Sequence, residues 1–128
     1  MSRLAQSQLQ SPLVMIRSGE VLSQVILGGV KVRNRVPVAR FNPKSATEVQ
    51  LISNIPTQIT LVSLPKRQSV KLTFISSRGK TVPIGSFTTT KSGTLTVPPL
   101  IILNPKGKIV VRVESGKYFS NFVVRATS

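Results

Sequence analysis

The alternation of β-branched with polar residues, broken at regular intervals by turn-forming residues, constrains the fold of this chain most strongly. Ile109, Val111 and Val113 alternate with Lys108 and Arg112, which is the period of a strand with one buried face. Clusters of Gly, Pro, Asn and Ser recur about every 8–12 residues through the second half, a spacing typical of sandwiches and barrels. Apolar residues do not accumulate at the helical period. We therefore predict an all-β fold, an antiparallel β-sandwich.

Individual segments refine this prediction. The segment from Thr81 to Phe87 contains Pro83 and Gly85, so we expect a strand at a sheet edge or around a bulge. Residues 20–27 and 30–38 flank Gly28-Gly29 and are expected to form a hairpin with a two-residue turn.

The charge balance is strongly positive. The 128 residues contain 18 Lys and Arg but only three acids, Glu20, Glu48 and Glu114, for a net charge of +15. Such a field attracts nucleic acid, anionic lipid or acidic polymers. The cations are spread from Arg3 to Arg125 instead of forming a tail, which places the charge on a folded surface.

The residue inventory excludes several classes of function. The chain has no Cys, His, Asp or Trp, which excludes disulfides, thiolate or imidazole metal sites and nucleophile–His triads. Three scattered glutamates do not favour acid–base catalysis or metal binding. We expect a protein that is not an enzyme and has no cofactor and no bound metal.

No targeting or membrane segment is expected. The first residues lack the apolar run of a secretory signal peptide, and no stretch reaches the ~18 apolar residues of a transmembrane helix.

The segment from about residue 57 to 128 resembles a bacterial-type immunoglobulin-like sandwich. Residues 105–113 carry the resemblance, where a turn ending in Gly107 leads into an alternating strand, followed by a closing strand at 118–126. Ile109 stands where the family often has the tyrosine of the tyrosine corner. The resemblance implies a sandwich of immunoglobulin-like type, and a jelly-roll Greek key is the alternative. It implies little about activity, because such folds serve many functions.

Residues 1–56 are expected to form an N-terminal extension with a hairpin, and residues 57–128 the sandwich core. The extension either completes a single continuous domain or packs on a neighbouring subunit, since an apolar hairpin offers an edge for added strands.

The candidate polyanion-binding residues are cations that alternate on one strand face or lie in pairs at turns. Cations two residues apart on a strand lie about 6–7 Å from each other, a spacing compatible with phosphates. These residues are Lys31, Arg33, Arg35, Arg40, Lys66, Arg67 and Lys71. The alternative interpretation of each is the ordinary solvated surface of a strand or a loop.

Aromatic residues bear on nucleic-acid recognition because bases stack on exposed rings. Phe74 and Phe87 have the parity of core residues. Tyr118 and Phe122 share one face of the last strand and Phe119 lies on the other, so one of these two sets is expected to be exposed.

Three functional hypotheses follow. The first is a self-assembling structural subunit, as a homo-oligomer or with other subunits, in a virion, a capsid or a cell-surface layer. The second is a nucleic-acid-binding or ribonucleoprotein component. The third is an adhesion module for anionic glycans or lipids. A virion or extracellular surface location is favoured.

Overall fold

The computed structural model describes residues 12–26 and 37–127, with side chains from 13–22 and 37–127. These residues form strands and turns without a helix, which confirms the predicted all-β fold. The strands are β1 (Pro12–Arg17), β2 (Glu20–Ile26), β3 (Val38–Phe41), β4 (Glu48–Ile52), β5 (Gln58–Leu61), β6 (Ser69–Ile75), β7 (Thr81–Thr88), β8 (Leu95–Thr96), β9 (Leu100–Leu103), β10 (Lys108–Ser115) and β11 (Tyr118–Thr127).

The strands form one five-stranded sheet and two three-stranded sheets. The five-stranded sheet has the order β4-β11-β10-β6-β7, and the smaller sheets have the orders β2-β1-β9 and β3-β5-β8. The two smaller sheets are joined along residues 95–103. Val97 N–H donates to the Ile59 carbonyl, and Thr57 and Leu100 exchange both backbone hydrogen bonds. Pro98 and Pro99 separate β8 from β9 because proline has no N–H for a sheet ladder.

The sheets are mixed, whereas the alternation predicted antiparallel pairing. β1 with β9, β4 with β11 and β3 with β5 are parallel pairs. The parallel direction of β3 and β5 follows from the path of the chain. The chain leaves β3, runs back through β4 in the five-stranded sheet and returns through β5 beside β3, so β3 and β5 run in the same direction.

The described part of the N-terminal segment contributes to the same hydrophobic core as residues 57–128. Most of the core side chains occupy the inward-facing positions of strands in all three sheets. The core side chains are Val14, Ile16, Phe41, Val49, Leu51, Ile59, Leu61, Leu64, Val70, Leu72, Phe74, Leu95, Val97, Leu100, Ile102, Ile109, Val111, Val113, Phe122 and Val124.

The hairpin that the structure describes joins β1 to β2 through Ser18 and Gly19. The expected hairpin around Gly28-Gly29 lies outside the described residues, except for residues 20–26, 37 and 38. The expectation for Thr81–Phe87 is confirmed, because β7 is an edge strand of the five-stranded sheet and its register with β6 shifts between Leu72 and Thr73.

No helix in the described part of the chain has the length and apolar character needed to cross a membrane.

Candidate polyanion-binding site

Four connections meet at one end of the sandwich, which we call the basic end. They are residues 42–47, 62–68, 89–94 and 116–117. The first three each carry the chain between the five-stranded sheet and the β3-β5-β8 sheet. The parallel strands β3 and β5 end on the same side of their sheet, and the antiparallel strand β8 begins there. In the five-stranded sheet, β6 begins where its antiparallel neighbours β7 and β10 end. The connections that follow β3, β5, β7 and β10 therefore lie at the same end.

The basic end carries cations from all four connections and no acid. Its exposed cationic residues are Lys44, Lys66, Arg67, Lys91 and Lys117. None of the four connections contains Asp or Glu. The positive charges therefore have no carboxylate within their own loops to neutralise them.

Two of the three glutamates, Glu20 and Glu48, lie elsewhere, whereas Glu114 is on β10 two residues before the connection at 116–117. At the opposite end of the sandwich, Arg78 Nε lies 3.3 Å from Glu20 Oε2. On the outer face of the five-stranded sheet, Glu48 accepts hydrogen bonds from Gln50 Nε2 and Arg125 Nε, both at 3.2 Å. These hydrogen bonds, first from Gln50 and then from Arg125, hold the pKa of Glu48 below its ordinary value.

Thr89 fixes the loop that presents Lys66 and Arg67. Its hydroxyl is buried, donates to the Pro65 carbonyl at 2.6 Å and accepts from the Gln68 N–H at 2.9 Å. Arg67 N–H also donates to the Thr90 carbonyl at 3.1 Å. The loop at 62–68 is thereby bonded to the start of the loop at 89–94.

The loop at 89–94 is ordered by a second hydroxyl. Thr90 Oγ1 accepts from the N–H groups of Ser92 and Thr94, at 3.2 and 3.1 Å. Leu64 N–H donates to the Gly93 carbonyl at 2.9 Å. Lys91 thus lies in a turn that is held by hydrogen bonds within the loop at 89–94 and by one hydrogen bond to the loop at 62–68.

Lys117 and Lys44 are held at the basic end by contacts of neighbouring residues. Ser115 Oγ donates to the Ser69 carbonyl at 2.8 Å and lies 3.2 Å from Gln68 Oε1, which holds the turn at 116–117 beside the loop at 62–68. Lys44 Nζ lies 5.8 Å from the centroid of the Tyr118 ring, within the range of a cation–π contact.

The candidate residues from the sequence are brought together only in part. Lys66 and Arg67 lie in the basic end, and Lys71 is exposed on β6 two residues after its start. Arg40 is exposed on β3 in the β3-β5-β8 sheet, where it is paired with Thr60 of β5. Lys31, Arg33 and Arg35 lie outside the described residues.

Sequence reasoning missed Lys44, Lys91 and Lys117. Each stands alone in its connection, without the alternation or pairing that marks a cationic face. Their common location depends on strand order, and no local pattern in the sequence records it. The missing signal was topological: a cation in each of the four connections that meet at one end of the sandwich.

The outer face of the five-stranded sheet adjoins the basic end through the start of β11. Register places Phe119 opposite Glu114, and Glu114 opposite Lys71. Phe119 is 56% exposed. The guanidinium carbon of Arg112 lies 5.7 Å from its centroid.

The described residues contain no group of three or more potential metal-ligating side chains. No protein-family model matches the chain, and no curated protein is significantly similar to it.

Proposed function

We propose that this protein binds nucleic acid through the basic end, as a structural component without enzymatic activity. The observation that supports this proposal is the convergence of five exposed cations on loops that contain no acid. Cations that contact phosphates release condensed counterions, and this release supplies most of the affinity for nucleic acid.

The hydrogen bonding of the loops at the basic end supports the same function. Thr89, Thr90 and Ser115 hold the cationic loops through hydrogen bonds to backbone groups. A surface whose backbone is already ordered loses less conformational entropy when a ligand binds.

A second candidate function is that of a subunit in a larger assembly, a virion or an extracellular surface layer. Leu22, Val38 and Ile52 are 44%, 56% and 56% exposed and lie on β2, β3 and β4. Each of these strands is at the edge of its sheet in the described residues. Exposed apolar side chains on edge strands favour association between strands of different subunits.

The finer type of the sandwich is also part of the proposal. We propose the immunoglobulin-like type because β10 and β11, which correspond to the resembling segments, form a hairpin within the five-stranded sheet. A jelly-roll Greek key is the alternative.

The nucleic-acid proposal is tested by titrating the protein into a labelled oligonucleotide over a range of salt concentrations, with fluorescence anisotropy as the readout. We expect log Kd to rise linearly with log salt, with a slope of about 0.7 per phosphate contact on a single strand. The triple variant Lys66→Gln, Arg67→Gln, Lys91→Gln should lower that slope by about 2.

The matched control removes three cations from the opposite end, by Arg17→Gln, Arg78→Gln and Lys80→Gln. It has the same net charge as the first triple variant and should keep the wild-type slope. Equal losses in both triple variants, or no binding at low salt, would refute a site at the basic end. Tighter binding to heparin or to anionic vesicles than to oligonucleotides would support the adhesion hypothesis instead.

The assembly candidate is tested by size-exclusion chromatography with light scattering and the 260/280 nm absorbance ratio. A large particle supports the assembly function, and a high ratio shows that nucleic acid accompanies it. A monomer near 13.9 kDa at high concentration argues against it.

A further inference from the structure

Phe119 is the one aromatic side chain of the described residues that is mainly exposed. Phe41, Phe74 and Phe122 are buried in the core, and Phe87 and Tyr118 are half-buried against it. Phe119 has the opposite parity on β11 and projects from the outer face of the five-stranded sheet. Its exposed ring contributes little to the hydrophobic stability of the fold.

The ring lies beside the basic end. Phe119 follows Lys117 by two residues, and Lys117 is in one of the four acid-free connections. On the same outer face, the row of directly paired residues runs from Phe119 through Glu114 to Lys71. Neighbouring strands are about 4.8 Å apart, so Lys71 is about 10 Å from Phe119 across the sheet.

Arg112 lies against the Phe119 ring. Its guanidinium carbon is 5.7 Å from the Phe119 centroid, and its Nε is buried with no hydrogen-bond partner among the residues that the structure describes. Guanidinium planes and aromatic rings are the two kinds of group on which unpaired bases stack. Both kinds are present here, in contact with each other.

Glu114 determines which part of a nucleotide fits over this row. Its carboxylate repels a phosphate and accepts hydrogen bonds from the amino groups on base edges. Phosphates are therefore expected at Lys117 and Lys71, with a base over Phe119 at the end of the row next to Lys117. A base inside a duplex is already stacked and cannot take this position.

We propose that Phe119 is a base-stacking platform that makes the basic end prefer single-stranded over double-stranded nucleic acid. This inference rests on the proposed nucleic-acid binding and names its substrate class.

The test compares wild type and Phe119→Ala against a single-stranded oligonucleotide, its duplex and heparin. Stacking on one aromatic ring should make the single-strand affinity of the variant about 5- to 150-fold weaker. Affinities for the duplex and heparin should change less than about twofold, because phosphate and sulfate contacts do not use the ring. Phe119→Tyr should retain the single-strand preference.

Ile52→Ala provides the control. Ile52 is also 56% exposed and lies on the same outer face, at the far end of the sheet. Its removal should leave all three affinities unchanged, and light scattering should show that Phe119→Ala and Phe119→Tyr keep the oligomeric state of wild type.

The outcomes separate this inference from the proposal on which it rests. If Phe119→Ala binds single strands like wild type while the Lys66, Arg67 and Lys91 triple variant loses affinity, the stacking platform is refuted and nucleic-acid binding stands. Parallel losses on single strands and duplex, or an altered oligomeric state, also refute stacking. If the wild type binds neither nucleic acid, the proposed function itself fails.

Discussion

Phe41 and Phe122 pack against each other across the sandwich, with ring centroids 4.7 Å apart and ring planes inclined by 39°. Phe41 is the last residue of β3 in a three-stranded sheet, and Phe122 lies on β11 in the five-stranded sheet. The contact joins the N-terminal part of the chain to the closing strand.

Truncation of this pair should be strongly destabilising. We expect Phe122→Ala to lower the free energy of unfolding by about 3–5 kcal/mol, because it removes a buried ring and leaves a cavity. A double-mutant cycle with Phe41→Ala should give a coupling of about 0.5–1.5 kcal/mol. Urea denaturation measures both values. The exposed Phe119→Ala serves as a control and should change stability by less than about 0.5 kcal/mol.

The fragment 57–128 should not fold by itself. It lacks β1, β3 and β4, whose residues Val14, Ile16, Phe41, Val49 and Leu51 belong to the core. Without them the remaining sheets expose apolar surface that the full chain buries. Circular dichroism and amide chemical-shift dispersion of the fragment test this expectation. A cooperatively unfolding fragment would show that residues 57–128 are a separate domain.

The Thr89 hydroxyl should be needed for the stability of the basic end. Thr89→Val keeps the shape of the side chain but leaves the Gln68 N–H and the Pro65 carbonyl without their partner. We expect a loss of about 1–3 kcal/mol in the free energy of unfolding. Thr60→Val is the control, because the Thr60 and Thr96 hydroxyls form an exposed pair at 3.3 Å. Similar losses in the two variants would contradict the role given to Thr89.

Gly93 should not tolerate a side chain. It has a φ of +78°, and a Cβ there would overlap the carbonyl oxygen of Leu64. Gly116 also has a positive φ, of +57°, but a Cβ there meets nothing within 4 Å. Gly116→Ala should therefore cost about 1–2 kcal/mol from backbone strain alone. Gly93→Ala should cost clearly more, and thermal denaturation of the two variants gives the comparison. Equal costs would mean that the close approach to Leu64 has no energetic consequence.

Glu48 should make stability depend on pH on the acid side. Because its pKa is lower in the folded chain, the ionised form stabilises the fold. This contribution is complete above the ordinary glutamate pKa of about 4.3 and is lost as the pH falls through the lowered value. The stability difference between wild type and Glu48→Gln should shrink over that interval. Urea titrations at several pH values measure it, and a difference that does not vary with pH would show that the pKa is unshifted.

The single-strand preference and the assembly candidate depend on different exposed apolar residues. Phe119 would serve a ligand, whereas Leu22, Val38 and Ile52 on edge strands would serve neighbouring subunits. Substitutions at Val38 and Ile52 should thus affect particle size without affecting oligonucleotide binding. The two functions are compatible in one protein if the assembly encloses nucleic acid.

Local sequence patterns were sufficient to predict most of the strands. The alternation at Lys108–Glu114 and the turn residues at 104–107 correspond to β10 and the turn before it. Phe74 is buried and Phe87 is half-buried against the core, as their parity predicted. Pro83 and Gly85 correctly placed β7 at a sheet edge. These features are predictable because side-chain direction alternates with every residue of a strand.

The composition and the period-two patterning of this chain thus determined an all-β fold, the inward residues of its strands and a basic surface with few acids. The tertiary structure alone decided that β3, β4 and β5 alternate between sheets, which of the last strand's aromatic faces is exposed, and that Lys44, Lys66, Arg67, Lys91 and Lys117 meet at one end. The physical reason is that strand period is a local property, set by the backbone of a few residues. Strand order is set by long-range burial, which brings together loops that are far apart in sequence.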